Sequence, residues 1–324
     1  MKKISQYILN NYCNSSGINK KLWYYCRKII LCFIDPVVSI TLHNKRLYLP
    51  FSHTLPLFLN RHPHYDKLLL RINTFIHCYS PSCITIDVGA NVGDSICAVY
   101  QNEGDKVLAI EPNASFSKYL LKNWKHAHQI VIENLLISDH NSEDKYNLIK
   151  KPGTTTFLKS TSGEKFKTVT LDSLLDKHVE FKNFNFVKID TDGHDFKVLQ
   201  GSLSIFKNNK PIILFECDII DNQKYFEMLK ESLENLNKIG YNHFLVYDNF
   251  GCLMGIYSID DLRSFYNLIF YHITSSFSYF DILFIRDDII SEFYEIELKY
   301  FLENIPQEKH TQTKELYNTL IKTF

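Results

Sequence analysis

The chain of 324 residues has no excess of charge of either sign, since Lys and Arg together number 36 and Asp and Glu also number 36. Proteins that bind nucleic acid through phosphate contacts usually carry an excess of basic residues, so the composition does not favour that class. Acidic residues are absent before Asp35, whereas the same stretch contains Lys2, Lys3, Lys20, Lys21, Arg27 and Lys28. This basic stretch fits weak contact with an anionic membrane surface or glycan, but a solvated helix face is the simpler interpretation.

The sequence also lacks a hydrophobic run long enough for a membrane-spanning helix, because its longest apolar stretch near the amino terminus covers only residues 29–34 and a span needs about 20. Asn and Ser follow the first lysines where a signal peptide would be apolar, so none is predicted. The eight cysteines form no C-x-x-C pair, and we interpret them as reduced thiols of a cytoplasmic protein. The H-x-H pairs at 62/64 and 126/128 are interpreted as surface residues, and no metal site is predicted.

Strand and helix patterns alternate from Cys83 onward. This alternation predicts an α/β fold, with a mostly parallel sheet covered by helices on both faces. Residues 1–80 predict a helical and hairpin extension, residues 81–290 the α/β domain, and residues 291–324 a helical tail. Two segments, 140–170 and 249–278, interrupt the alternation, and a single helix is expected near 194–207 and another near 222–238. The expected strands lie near 84–88, 106–110, 130–134, 185–190, 211–216, 242–247 and 280–285.

The segment Asp87-Val-Gly-Ala-Asn-Val-Gly-Asp94 joins a predicted strand to a predicted helix. Gly89 allows a sharp turn without a Cβ clash, and Gly93 allows backbone to approach a ligand closely. Glu111 ends the next strand, 24 residues beyond Asp87, where a carboxylate can accept hydrogen bonds from ribose hydroxyls. This arrangement predicts a nucleotide-type cofactor, and both nicotinamide dinucleotides and S-adenosylmethionine fit it.

The details of the motif support a nicotinamide dinucleotide less well than S-adenosylmethionine. The G-x-G-x-x-G fingerprint requires a glycine where this chain has Asn91, and the pattern of short-chain dehydrogenases requires one where it has Ser95. Tyr146 and Lys150 match the Tyr-x-x-x-Lys pair of those enzymes. They run directly into Pro152, however, so a long helix cannot carry them.

A second group of polar residues follows the apolar run Phe186-Val-Lys-Ile. Asp190 comes at the carboxyl end of this strand, the edge at which such sheets bind ligands. Asp192 can converge with it through the turn at Gly193, and such a pair can stabilise a cation and accept a proton. His194 is a second candidate base, whereas Asp195 is expected to cap the following helix. Glu216 ends another apolar strand, either as a ligand contact or as a hydrogen-bonded anchor.

Five motifs follow one another along the chain, namely Asp87–Asp94, Val169-Thr-Leu-Asp-Ser-Leu174, Val187-Lys-Ile-Asp-Thr-Asp-Gly193, Val198-Leu-Gln-Gly201 and Pro211-Ile-Ile-Leu-Phe-Glu216. Their order and spacing resemble those of FkbM-type methyltransferases. The resemblance covers roughly residues 80–250, and it implies a Rossmann-like fold, with a seven-stranded, mostly parallel sheet, and O-methylation that depends on S-adenosylmethionine. The family commonly acts on sugar hydroxyls of glycans or natural products.

The resemblance also implies roles for individual residues. It assigns the glycine turn to the amino-acid and ribose end of the cofactor, Glu111 to the ribose, and residues 136–139 to the adenine. Asp192 stands where the family usually has Glu, so its side chain is shorter than usual at this position. Asp192 is nevertheless our first choice for the base. His194 is the second choice, and Asp190 would orient the cofactor or, if the reaction uses a metal, bind it. The expected cofactor residues are Asp87, Gly89, Asn91, Gly93, Glu111, Leu136 and Asp139.

Together these features predict an S-adenosylmethionine-dependent O-methyltransferase that methylates a sugar hydroxyl of a surface polysaccharide or related glycan. The expected partner is a sugar-containing acceptor rather than a nucleic acid. A different class of function stays open, namely a catalytically silent methyltransferase fold that serves as a binding or scaffold subunit of a glycan-assembly complex.

Overall fold

The computed structural model describes residues 1–219, 224–275 and 279–321. The predicted helix near 222–238 and the predicted tail thus each include a few positions outside the described residues. The helices are α1 Lys2–Asn14, α2 Gly17–Leu31, α3 Leu55–Arg61, α4 Lys67–Ile76, α5 Asp94–Val99, α6 Ala114–Trp124, α7 Leu171–Leu175, α8 Asp195–Gln200, α9 Leu203–Asn209, α10 Tyr225–Lys238, α11 Arg263–Ser275, α12 Ile290–Glu303 and α13 His310–Leu320. The strands are β1 Val37–Leu42, β2 Lys45–Pro50, β3 Ile84–Val88, β4 Lys106–Ile110, β5 Ile130–Glu133, β6 Leu136–Ile137, β7 Ser142–Lys151, β8 Thr154–Lys159, β9 Glu164–Val169, β10 Phe186–Ile189, β11 Ile212–Cys217, β12 His243–Asp248, β13 Leu253–Ser258 and β14 Phe280–Phe284.

The main sheet has eight strands in the order β13-β12-β14-β11-β10-β3-β4-β5. The strands from β11 to β5 are parallel, and β14, β12 and β13 are antiparallel to their neighbours. The apolar runs that predict the parallel strands are buried here, as expected for strands covered on both faces. The predicted α/β class is confirmed. The sheet contains the seven expected strands and one more.

The extra strand, β13, lies within the segment 249–278 that the sequence marks as an insertion. It pairs with β12 at the edge of the sheet through a tight turn, in which Gly251 has φ +81°. All residues of β13 are only partly buried or exposed, so the strand needs no apolar run of the kind that predicts the central strands. The other insertion, 140–170, contributes β7, β8 and β9 to a separate four-stranded sheet in the order β6-β9-β7-β8, in which β6 precedes the insertion.

The single helix predicted near 194–207 is two short helices, α8 and α9. Gly201 lies between them, and a Cβ there would come within 2.2 Å of the carbonyl oxygen of Ser138. The break therefore follows from a contact with a segment more than 60 residues away in the sequence, which the helical pattern could not reveal.

The amino-terminal extension packs onto one face of the main sheet rather than standing apart from it. Leu47, Leu49 and Phe51 are fully buried and belong to the same hydrophobic cluster as Val107 of β4 and Phe186 of β10. This shared core positions the loops after β2 close to the ends of the parallel strands. The boundaries at residues 80 and 290 stay predictions. In the described part of the chain, every helix is too short or too polar to cross a lipid bilayer.

Candidate active site

A cavity of about 420 Å³ opens beside β3 and β10, at the carboxyl ends of the parallel strands. The chain order reverses here, because β4 and β5 extend the sheet from one side of β3 while β10 and β11 extend it from the other. Open α/β sheets bind ligands in the crevice at such a reversal. The volume falls within the range of about 300–1,000 Å³ that is usual for small-molecule sites.

Gly89 begins the turn that forms the floor of this cavity. Its φ is +89°, and a Cβ at this position would lie 1.7 Å from the carbonyl oxygen of Asp190. The Gly89 N–H donates to the carbonyl of Ile110 at 2.9 Å, which ties the turn to β4. Only glycine fits here, because both the backbone conformation and the missing side chain are needed. The turn thereby comes directly against the end of β10, where Asp190 lies.

Gly93 has a different reason to be glycine. It does not line the cavity, and a Cβ on it would lie 2.5 Å from Nε1 of Trp124. That nitrogen donates a hydrogen bond to the Gly93 carbonyl at 2.9 Å. The structure therefore uses this glycine to pack α6 against the turn, and the close approach to a ligand that the motif predicts stays a prediction.

Asn91 and Glu111 are brought together at one wall of the cavity. The Glu111 carboxylate accepts hydrogen bonds from the backbone N–H groups of Asn91 at 2.8 Å and Asn113 at 2.7 Å. Burial raises the pKa of Glu111 to about 7, although these two hydrogen bonds act in the opposite direction. The Asn91 amide donates to the carbonyl of Gly153 at 2.7 Å. Both side chains are thus held in fixed positions, as a ligand site requires.

His53 also lines the cavity, although no sequence motif marks it. Its Nδ1 accepts from the backbone N–H of Leu55 at 3.1 Å, so Nε2 carries the proton and faces Oδ1 of Asn91 at 3.3 Å. Burial lowers the pKa of His53 to about 4, which keeps the ring neutral. Other cavity residues from the extension are Thr54, Leu55, Phe58, Tyr65 and Asp66.

Lys188 is a second site residue that the motifs do not single out. It interrupts the apolar run of β10, and its ammonium group lies 2.8 Å from Asp190 and 3.8 Å from Asp87. Burial disfavours its charge, but Asp190 and Asp87 outweigh that effect and raise the pKa of Lys188. Asp87 is fully buried, accepts a hydrogen bond from Ser95 and does not line the cavity. Its place is beneath the site, where it holds Lys188.

Asp190 and Asp192 both line the cavity, so the structure does bring this pair together. Asp192 adopts φ +52°, and its carboxylate accepts a hydrogen bond from the backbone N–H of Thr155 at 3.1 Å. Burial and the negative charge of Asp190 raise the pKa of Asp192 to about 7. A carboxyl group with this pKa can take up a proton near neutral pH, which suits a general base.

His194 and Asp195 point elsewhere. His194 is buried, stacks edge-on against the ring of Tyr146 at 5.6 Å and does not line the cavity. Burial lowers its pKa to about 4. Asp195 accepts hydrogen bonds from the backbone N–H groups of Thr191 at 3.0 Å and Gly193 at 3.1 Å, and so fixes the loop before α8. Asp195 therefore anchors the loop that carries Asp192 by binding the backbone on both sides of it.

Of residues 136–139, which are expected near the adenine, Leu136 and Ile137 line the cavity, whereas Ser138 and Asp139 do not. Asp139 remains half-exposed, and its carboxylate binds the Ser138 hydroxyl at 2.9 Å and the His140 ring at 2.7 Å. Despite some burial, these two hydrogen bonds hold the pKa of Asp139 below its usual value. The Asp139 carboxylate thus binds its neighbours in the chain and lies outside the cavity lining.

The wall of the cavity is rich in acid. Among its described residues, seven carboxyl side chains face only two lysines, Lys151 and Lys188. Glu216 is buried, and its Oε2 has no hydrogen-bond partner among the described residues. Burial, followed by the charge of Asp190, raises the pKa of Glu216 well above its usual value. Such a cavity complements a cationic ligand. The acidic members are Asp66, Asp94, Glu111, Asp190, Asp192, Glu216 and Asp218.

The histidine pairs of the sequence lie apart from this cavity. His62 stacks on Phe250 with ring centroids 3.9 Å apart, and His64 contacts the Tyr300 hydroxyl at 3.1 Å. His126 and His128 are at the surface or partly exposed. Within residues 1–219, 224–275 and 279–321, no group of three His, Cys, Asp or Glu side chains has a metal-binding arrangement.

The chain is similar to known proteins in the following respects. Residues 87–242 match the family model described as the methyltransferase FkbM domain, and no curated protein sequence matches the chain. The FkbM methyltransferase structure from Methylobacillus flagellatus KT is 16% identical, with a TM-score of 0.37, over 52% of this chain and 40% of that chain. M. jannaschii TYW2 in complex with AdoMet is 14% identical, with a TM-score of 0.38, over 78% and 88%. A putative O-methyltransferase from Klebsiella pneumoniae is 8% identical, with a TM-score of 0.39, over 68% and 80%.

The match to the family model begins at Asp87, spans the glycine turn and the Asp190–Asp192 loop, and ends at residue 242, close to the end of the motif region. It confirms the resemblance that the motifs carry: residues 87–242 match the methyltransferase FkbM domain.

Proposed function

We propose that this methyltransferase transfers a methyl group from S-adenosylmethionine to a sugar hydroxyl of a surface polysaccharide or a related glycan. The observation that carries the proposal is the convergence of Asp190 and Asp192 on one cavity beside the Gly89 turn. A sugar hydroxyl is a poor nucleophile at neutral pH, so the reaction needs a base held close to a bound methyl donor.

The residues of the cavity fit the cofactor. Its sulfonium and amino groups are cationic, and the carboxylate-rich wall complements them. Glu111 is held by two backbone N–H groups, and each of its oxygens keeps a lone pair for a ribose hydroxyl. Leu136 and the neighbouring Ile137 supply apolar surface for the adenine. When bound, S-adenosylmethionine supplies an electrophilic methyl group for in-line attack by the acceptor oxygen.

The residues of the chain then have distinct tasks. Asp192 accepts the proton that the acceptor hydroxyl loses as its oxygen bonds to the methyl carbon, and the backbone N–H of Thr155 holds that carboxylate in place. Asp190, paired with Lys188, orients the cofactor at the strand end. The loops from the extension cover the cavity and exclude water, which strengthens these electrostatic interactions.

The choice of a sugar acceptor is supported by the family resemblance and by the chemistry of the wall. Carboxyl groups form hydrogen bonds with hydroxyl groups in either protonation state, and Oε2 of Glu216 has no other partner among the described residues. All eight cysteines are free thiols, which supports a cytoplasmic location.

Two measurements test the proposal. Calorimetry with S-adenosylhomocysteine should show binding to one site, whereas binding of NAD without binding of S-adenosylhomocysteine would contradict the cofactor. Incubation with methyl-labelled S-adenosylmethionine and a panel of polysaccharide precursors should label a sugar oxygen. Labelling of protein, lipid or small metabolites alone would contradict the acceptor class. Cofactor binding without transfer to any acceptor would favour the scaffold alternative.

A further inference from the structure

Helix α2 carries an exposed apolar stripe. Ile18, Leu22, Tyr25, Ile29 and, just beyond the helix, Phe33 follow one another at intervals of three or four residues, so they share one face. Ile18 is 85% exposed, Ile29 is 61% exposed and Phe33 is 82% exposed. Isolated exposed apolar side chains are ordinary on a protein surface, but a contiguous stripe of five marks an interaction site.

The opposite face of α2 is firmly attached to the protein. Arg27 is buried, and its guanidinium donates to the carbonyls of Phe51 at 3.0 Å and Ser52 at 2.7 Å. Trp23 packs edge-on against Tyr7 of α1 with ring centroids 5.6 Å apart. The stripe is thus outside because the helix is docked through its other side, and rotation to bury the stripe would break these contacts.

The charge around the stripe has one sign. Lys21 and Lys28 are exposed and seven residues apart, so both lie along the same edge of the stripe. Helix α1, which packs against α2, adds Lys2 and Lys3 at the surface, and no acidic residue precedes Asp35 in the chain. A surface that is apolar in its centre and cationic at its edge matches an anionic lipid headgroup layer over acyl chains.

We propose that α2 docks on an anionic phospholipid surface, with the stripe in the interface and the flanking lysines among the headgroups. The helix is too short and too polar to span a bilayer, so it lies in the plane of the membrane. The aromatic side chains of Tyr25 and Phe33 suit the boundary between headgroups and acyl chains. This inference concerns where the enzyme works, and it is independent of the identity of the acceptor.

Co-sedimentation of the full chain with vesicles tests it. We expect binding to phosphatidylcholine vesicles that contain phosphatidylglycerol, weaker binding to pure phosphatidylcholine, and loss of part of the binding at high salt. Ile29→Ser with Phe33→Ser should weaken binding by about tenfold or more, because it removes apolar surface from the interface. Lys21→Gln with Lys28→Gln should remove most of the salt dependence.

Phe270→Ser is the matched control, because Phe270 is 69% exposed on α11, outside the stripe, and its loss should leave vesicle binding unchanged. Thermal unfolding should be the same for all variants, since the substituted side chains are exposed. Absence of binding to anionic vesicles at low salt, or wild-type binding by Ile29→Ser with Phe33→Ser, overturns the proposal. So does a dimer in sedimentation velocity that this double variant dissociates, because the stripe would then be an interface between copies.

Discussion

Replacing Asp192 by Asn removes the proposed proton acceptor while keeping the shape of the side chain. Burial and the charge of Asp190 raise the pKa of Asp192 to about 7, so the carboxylate form accumulates only above that pH. In the wild type, kcat/KM should therefore fall below about pH 7, and at pH 5 about one molecule in a hundred would hold the base ionised. An unperturbed Asp would place this limb near pH 4 instead.

In Asp192→Asn, turnover at the plateau should fall by about 10²–10⁴, the usual contribution of general base catalysis. The limb near pH 7 should disappear with it. Affinity for S-adenosylhomocysteine, measured by calorimetry, should change little, because the Thr155 N–H can bond to the amide oxygen as it does to the carboxylate. His194→Gln is the matched control, since His194 does not line the cavity and the variant should keep nearly full activity.

Two results would refute this reasoning. Full activity in Asp192→Asn would remove Asp192 from proton transfer, and a large loss in His194→Gln would show that the loop rearranges to bring the histidine into the cavity. Persistence of the limb near pH 7 in a partly active Asp192→Asn would assign that pKa to another carboxyl, of which Glu216 is the first to test.

Three further predictions follow from the same geometry. Glu111→Ala should weaken the binding of S-adenosylhomocysteine by about 1–3 kcal/mol in calorimetry, because a charged acceptor is lost; unchanged affinity would exclude a ribose contact. Gly89→Ala should lower the free energy of unfolding in urea by about 2–5 kcal/mol, since strain at φ +89° adds to the overlap with the Asp190 carbonyl. Gly104→Ala is the control and should be nearly neutral, because no atom would lie closer than 3.6 Å to the added Cβ. Equal losses of stability in the two variants would refute the close approach of Gly89 to Asp190. Burial raises the pKa of Glu111 to about 7 and of Asp281 to about 8, so the folded protein keeps protons that the unfolded chain has lost. Between about pH 4 and 6.5, His53 and His194, whose pKa values burial lowers to about 4, contribute the opposite trend. Stability of the ligand-free protein should therefore fall as the pH rises from about 6.5 to 8, which thermal melts can measure; a rising melting temperature over that range would contradict the raised pKa values.

The sequence by itself determined the parts of this protein that depend on local patterns. The apolar runs identify seven of the eight strands of the main sheet, because strands buried on both faces must be continuously hydrophobic. The run that ends at Asp190 and the glycine turn that begins after Asp87 place the site at the carboxyl edge, because chain direction in a parallel sheet is set by the strand–helix alternation. The motifs also predict the match to the methyltransferase FkbM domain over residues 87–242.

Tertiary structure alone decided how the site is enclosed. His53 and Asp66 reach the cavity from the extension, and nothing in their local sequence indicates it, because they arrive through packing of the hairpin on a distant sheet. Gly93 is explained by Trp124, which lies 31 residues further along the chain.

The same holds for the direction of individual side chains. Asp192 and His194 are two residues apart, yet one lines the cavity and the other packs on Tyr146. The left-handed backbone at Asp192 and the anchoring of the loop by Asp195 set these directions. A sequence pattern specifies which residues stand near a strand end, but the direction each one faces depends on contacts with segments that are remote in the chain.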